Sequence, residues 1–158
     1  MNTLSTLDGE AIARQAMQTP AQKMVTQLKH NWEHLPQVDM PLQHRFTPGL
    51  YTREIFMPKG TLVISKIHKT EHQYIISKGV VSVWIEGVGT KKLQAPYHGI
   101  TKPGTRRILF IHEDCIWTTF HATNKTDVNE IEQDVIYNPE TDDVPQVEAE
   151  VIQQLKDS

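Results

Sequence analysis

Residues 60–79 read GTLVISKIHKTEHQYIISKG. Two apolar runs, TLVISKI and QYIIS, flank a polar break that begins at His68 and ends at His72, and a glycine stands at each end. On a helix, two histidines four apart would share a face, as in zinc-binding helices. The flanks argue against a helix. Their β-branched residues are stiff at χ1 and pack well on a pleated surface, and short runs of this kind bounded by glycine read as strands. His68 is therefore expected to end one strand and His72 to open the next, across a turn at Lys69-Thr70-Glu71. Side chains alternate along a strand, which predicts Leu62, Ile64, Lys66 and His68 on one face. His72, Tyr74 and Ile76 are expected on one face of the following strand.

The same texture extends from Phe46 to about His121. Further short runs, VVSVWI, RRILFI and CIWTTF, alternate with turn signals at Pro58-Lys59-Gly60, Lys78-Gly79, Glu86-Gly87-Val88-Gly89, Lys102-Pro103-Gly104 and His112-Glu113-Asp114. Several short strands at this spacing predict an all-β sandwich or barrel. The isolated G-V-G is a hairpin turn and not a nucleotide fingerprint, because no helix follows it.

Both ends read differently. Thr19-Pro20-Ala21-Gln22 is a helix-start signature, with Thr19 as cap, Pro20 at the first helical position and Gln22 able to reach back. Met24, Leu28, Trp32 and Leu35 then form one apolar stripe, expected to dock on the rest of the chain or on a second subunit; Pro36 ends it. A shorter helix is expected over 9–18. After Asn124 the chain turns acidic. Asp127 can cap a short helix that points Val128, Ile131 and Val135 inward, and a last amphipathic helix over 145–156 would use Val147, Val151 and Leu155. The expected organisation is a helical N-terminal extension (1–45), a β-barrel (46–124) and an acidic helical C-terminal extension (125–158).

Charge follows these divisions. Residues 51–126 hold eleven Lys and Arg against five Asp and Glu, whereas 127–158 hold one against ten. The acidic tail is expected to be solvated or to shield the basic centre. Nucleic acid is not an expected partner, since no basic cluster is interleaved with exposed aromatics. No apolar run is long enough to cross a membrane. The start lacks the basic and apolar regions of a secretory leader. Cys115 is the only cysteine, so no internal disulfide can form. These features predict a cytoplasmic protein. Cys115 lies near His112 and Asp114, but residues in one tight turn seldom reach nucleophile–base geometry, and a strand cysteine is expected to be packing.

The glycine-to-glycine spacing around the two histidines resembles the first motif of the cupin superfamily: Gly, five residues, His-x-His, three or four residues, Glu, six residues, Gly. Here it reads Gly60, five residues, Lys66-x-His68, three residues, His72, six residues, Gly79. The stretch Lys102-Pro103-Gly104-Thr105-Arg106-Arg107 is similar to the second motif, with Arg107 where a histidine stands in the family. The resemblance covers about residues 46–121 and implies a double-stranded β-helix, a jelly-roll barrel whose subunits pair as homodimers. The chain also looks like small cupin proteins encoded in phage genomes.

The resemblance implies a metal site of two histidines, a glutamate and a third histidine, from which this sequence departs at three of four positions. His68 matches directly, and His72 replaces the glutamate and can still ligate. Lys66 and Arg107 offer no lone pair. Two site chemistries follow. In one, the strand ending in His121 pairs with the strand His72 opens, and His68, His72 and His121 bind a divalent metal such as Zn, Mn, Fe or Ni. In the other, Lys66 and Arg107 replace the metal charge and the barrel mouth binds an anionic small molecule without metal, His68 and His72 serving as donors or as a general base. Tyr74, His98 and Trp117 are candidates to line either pocket, although Trp117 also suits the core. A third possibility is that the histidines are rim residues with no ligand. The corresponding functions are an accessory or regulatory small-ligand-binding protein, an isomerase- or epimerase-like enzyme acting on an anionic sugar or nucleotide through a catalytic His68 or His72, or a structural phage assembly protein with a filled barrel.

Overall fold

In a computed structural model of the chain, which describes residues 6–138, nine strands and three helices form a rolled antiparallel sheet with helices at its ends. The strands are β1 (Leu42–Thr47), β2 (Leu50–Met57), β3 (Leu62–Ile64), β4 (Ile67–His68), β5 (His72–Ile85), β6 (Gly89–Gln94), β7 (Tyr97–Thr101), β8 (Arg107–Ala122) and β9 (Ile136–Tyr137). The helices are α1 (Thr6–Ala16), α2 (Pro20–Trp32) and α3 (Val128–Val135). The main sheet runs β1-β2-β8-β5-β6, with β3 added to β8 and β7 to β5. Every pairing is antiparallel. This is the expected double-stranded β-helix.

Its central feature is a pair of long strands, where the sequence predicts four short ones. QYIIS and VVSVWI are one strand, β5, and RRILFI and CIWTTF are one strand, β8. The signals at Lys78-Gly79 and His112-Glu113-Asp114 are therefore not loops. They face each other in the middle of the β5–β8 ladder, where the register shifts. Both strands bend together there, and the sheet folds back on itself. Gly79 makes this possible: its φ is 102°, and a Cβ at this position would collide with the backbone of Glu113, Asp114 and Cys115.

The fold-over encloses one core of Met57, Tyr74, Ile76, Val81, Val83, Leu93, Leu109, Ile111, Cys115 and Trp117. Period-2 alternation holds on β5, where His72, Tyr74 and Ile76 are all buried, as expected. It fails on the preceding segment. Leu62 is exposed and Val63 packs toward the core. The ladder then breaks at Ser65-Lys66, leaving Lys66 exposed. The break resets the phase: Ile67 turns outward beneath α1, so His68 points toward His72.

The helices close the ends. Thr19 accepts a hydrogen bond from the Gln22 amide, as a cap should, but the Gln22 side chain turns away to donate to Glu86 on the β5–β6 hairpin. The apolar stripe of α2 is not its docked face within the chain. Gln22 and Val25 are buried, while Met24 is 64% and Leu35 56% exposed. Polar bonds decide the seating: besides the Gln22 contact, the guanidinium of Arg106 donates to Thr26. α1 seats Ala13 and Met17 on Ile67 and Tyr137. At the other end, Asp127 caps α3, Ile131 is buried, and β9 pairs with β4. The expected helix over 145–156 lies outside the described residues.

Gly79→Ala should lower stability by at least about 2 kcal/mol, because a left-handed backbone alone costs ~1–2 kcal/mol and the β8 backbone would also have to shift. Urea denaturation measures this; a loss below about 0.5 kcal/mol would mean that the bend does not need glycine.

Candidate functional site

Three imidazoles gather inside one end of the barrel. His72 opens β5, His121 lies near the end of β8 beside it in the ladder, and His68 enters from β4. Ring centroids are 4.4 Å apart for His68–His72, 4.6 Å for His72–His121 and 6.2 Å for His68–His121. Three odd-numbered residues of β8, Trp117, Thr119 and His121, follow the strand's inward alternation, which is why the triad stands directly beyond Trp117.

Each ring has a buried nitrogen without a hydrogen-bond partner: Nδ1 of His68, Nε2 of His72 and Nδ1 of His121. The tautomer of His72 follows from its other contact. Nδ1 lies 3.2 Å from the carbonyl oxygen of Thr70, which can only accept, so Nδ1 carries the proton and Nε2 presents a bare lone pair. Nε2 of His121 lies 2.9 Å from the Thr119 hydroxyl, leaving Nδ1 as the inward nitrogen. His68 keeps part of its surface in solvent, but its Nδ1 is buried.

The rings are held neutral. Burial pushes the proton affinity of His68 well below the usual range, helped by the charges of His72, His121, Arg107 and Arg53. Burial lowers His72 too, opposed by its bond to Thr70 and assisted by Arg107. For His121, burial with the neighbouring His72 and Arg53 brings the pKa down to about 3.

Beyond the triad lies a guanidinium. Arg107 is 6% exposed and sits over the Tyr74 ring at 5.0 Å and the Trp117 ring at 5.8 Å. Tyr74 and Trp117 are themselves stacked, with centroids 4.6 Å apart. Tyr97 lies beside Tyr74, and Gly99 on β7 gives the Tyr74 ring its room: a Cβ at Gly99 would overlap its hydroxyl end.

The predicted site residues thus divide. His68, His72 and His121 come together, and Tyr74, Arg107 and Trp117 form an adjoining group. Lys66 does not join them, because the break after β3 leaves it exposed. His98 does not either; it falls on the outward phase of β7 and is exposed. Cys115 is fully buried, and burial raises its pKa to about 11, so it is packing.

Other residues were not anticipated. Tyr51, opposite His121 in the β2–β8 ladder, stacks on that ring at 5.7 Å, and its hydroxyl lies 2.6 Å from Nδ1 of His44. Arg53 on β2 pairs with Glu132 on α3 at 3.3 Å, tying that helix to the sheet beside the triad. The β2–β8 register would have found Tyr51; nothing local to its sequence marks it.

No family model matches the sequence, and no curated protein does. Solved structures do share its general shape. A cupin-2 domain protein from Shewanella frigidimarina is 13% identical over 63% of this chain and 99% of its own, with a TM-score of 0.45. A double-stranded β-helix protein from Klebsiella pneumoniae is 15% identical over 60% and 88%, with a TM-score of 0.47. An acetylacetone dioxygenase from Acinetobacter johnsonii is 20% identical over 59% and 67%, with a TM-score of 0.45. What is similar is the barrel; the reading of the site rests on the residues above. No helix among the described residues is long and apolar enough to cross a membrane.

A histidine whose pKa is depressed in the fold binds its proton more readily once unfolded. Its contribution to stability is complete above about pH 6.5 and is lost as pH falls toward the folded value. With chelator present, stability should therefore decline from pH 6.5 toward pH 3, the range set by His121. Urea denaturation across that range, repeated in His121→Asn, should show a shallower decline in the variant; equal slopes would place the titration elsewhere.

Proposed function

We propose that this chain is a small-ligand-binding protein of the cupin type that holds a divalent metal ion on His68, His72 and His121. The observation that carries this reading is the gathering of three neutral imidazoles with buried, unbonded nitrogens. A bare lone pair buried without a donor is costly, and a metal ion is the partner that three of them have in common. Imidazoles that share one ion at a metal–nitrogen distance of ~2.0–2.1 Å have ring centroids about 5 Å apart, close to the spacing seen. The bond from Nδ1 of His72 to the Thr70 carbonyl is the outer contact that commonly orients a histidine ligand. As they stand, no three His, Cys, Asp or Glu side chains among the described residues are placed to hold a metal ion; the triad supplies the donors, and its rings would have to turn to converge on one.

The donor chemistry narrows the metal. An all-imidazole set suits zinc, iron or nickel, whereas manganese prefers carboxylate oxygens. A bound metal supplies Lewis acidity to an oxygen of the ligand. The protein supplies buried imidazole donors and the Arg107 guanidinium.

The other functional readings have less support. General acid catalysis by His68 or His72 requires a proton that burial removes at neutral pH. An inert, filled barrel would have no use for a buried guanidinium with an unbonded Nε and three unbonded ring nitrogens in its interior.

Metal-stripped protein should take up one equivalent of Zn2+ or Co2+, followed by elemental analysis and by cobalt absorption. Zn2+ at a hundredfold its Kd should stabilise the fold by about 2.7 kcal/mol. His72→Ala and His121→Ala should each weaken uptake by at least about 100-fold, in line with losing a ligand or its support, while remaining folded. Uptake that is not stoichiometric, or that both variants retain, would contradict the metal reading.

A further inference from the structure

The structure assigns Arg107, backed by Tyr74 and Trp117, as the recognition point for the carboxylate of a small monoanionic ligand. This deepens the ligand-binding reading above but does not require the metal.

The argument starts from charge. Arg107 is 94% removed from solvent, since only 6% remains exposed. The groups that act on its proton are burial, Tyr74 and Tyr97, with no carboxylate among them. Its Nε has no hydrogen-bond partner. A buried cation left without a counter-charge is among the costlier arrangements a fold can hold. Glu132, which faces the sheet from α3, is paired with Arg53. The three imidazoles are neutral and offset nothing. A metal ion on them would add further positive charge, so among the described residues nothing offsets Arg107, and a bound anion would.

Geometry selects the anion. The guanidinium carbon lies 5.0 Å from the Tyr74 centroid and 5.8 Å from the Trp117 centroid, and with one N–H given to the Tyr74 hydroxyl, Nε is the donor left unbonded. A guanidinium edge is a two-pronged donor that matches a carboxylate, and aromatic rings hold its plane in place. The number of cations matters as well. Lys66 is exposed, so the interior holds one fixed positive charge at this point and not the two that a phosphate or sugar nucleotide would favour.

The test uses the full-length, 15N-labelled, EDTA-treated protein, titrated with acetate, with acetamide as the neutral shape-mimic and with inorganic phosphate. Acetate should shift the Nε–H resonance of Arg107 and the indole N–H of Trp117 saturably. Acetamide should leave both in place, and phosphate should bind at least tenfold more weakly. Arg107→Gln should weaken acetate at least tenfold, and Arg107→Lys should also lose most of the affinity, because an ammonium cannot form the fork. The wild-type resonances decide the matter if neither variant folds. No saturable acetate response, an equal response to acetamide, tighter binding of phosphate, or unchanged affinity in a folded Arg107→Gln would each overturn the assignment. Repeating the titration after adding Zn2+ separates the two readings. An acetate response without zinc uptake overturns the metal site alone, and zinc uptake without an acetate response overturns this inference alone.

Discussion

The structure depends on one backbone crossing. Gly79, at φ 102°, lets β5 lie against the backbone of Glu113 to Cys115 so closely that no side chain fits between them. Arg107 and Trp117 belong to the same strand, ten residues apart, and along a straight strand they would be separated by about 34 Å. In the fold the guanidinium lies 5.8 Å from the indole ring. Only a strand pair that doubles back can bring them together, and the register shifts opposite Gly79 show where it does so. The buried core and the position of Arg107 both follow from that bend.

The chamber has an unusual electrostatic character. One end holds three imidazoles that desolvation keeps uncharged, and the middle holds a guanidinium that stays charged because its intrinsic proton affinity is too high for burial to remove. The interior therefore has lone pairs without a cation and a cation without an anion. Both have the same physical origin, polar atoms withdrawn from water with no hydrogen-bond partner among the described residues, and a ligand would supply one. That is why a binding function accounts for the site better than a packed, inert barrel. Proton transfer accounts for it less well, because the same burial leaves the rings without a proton to give at neutral pH and weak as bases.

Much of this was legible in the sequence, for identifiable reasons. The β-branched runs and the bracketing glycines read as strands in place of a helix at His68–His72, and the resemblance to cupins, which implies that the last strand pairs with the one opening at His72, put His121 beside it. Strict alternation placed His72, Tyr74 and Ile76 together. The failures share one cause. Gly79 and the His112-Glu113-Asp114 cluster have turn chemistry, yet here that chemistry bends paired strands without ending them, and composition alone cannot separate a bulge from a loop. Alternation also carries across a segment only while the ladder is unbroken; the break at Ser65-Lys66 reset the phase and left Lys66 outside. The stripe Met24, Leu28, Trp32 and Leu35 has helical period, but docking was decided by polar contacts of Gln22 and Thr26 on the other side. Tyr51 could be found only through its long-range register with His121.

The central claim is that the three histidines are neutral, buried rings, each with one unbonded nitrogen. Long-range 1H–15N correlation spectra of the metal-free protein at neutral pH read the protonation of each ring nitrogen directly. The account predicts three uncharged imidazoles, with His72 protonated at Nδ1 and bare at Nε2. A charged ring among the three, or His72 protonated at Nε2, would contradict it.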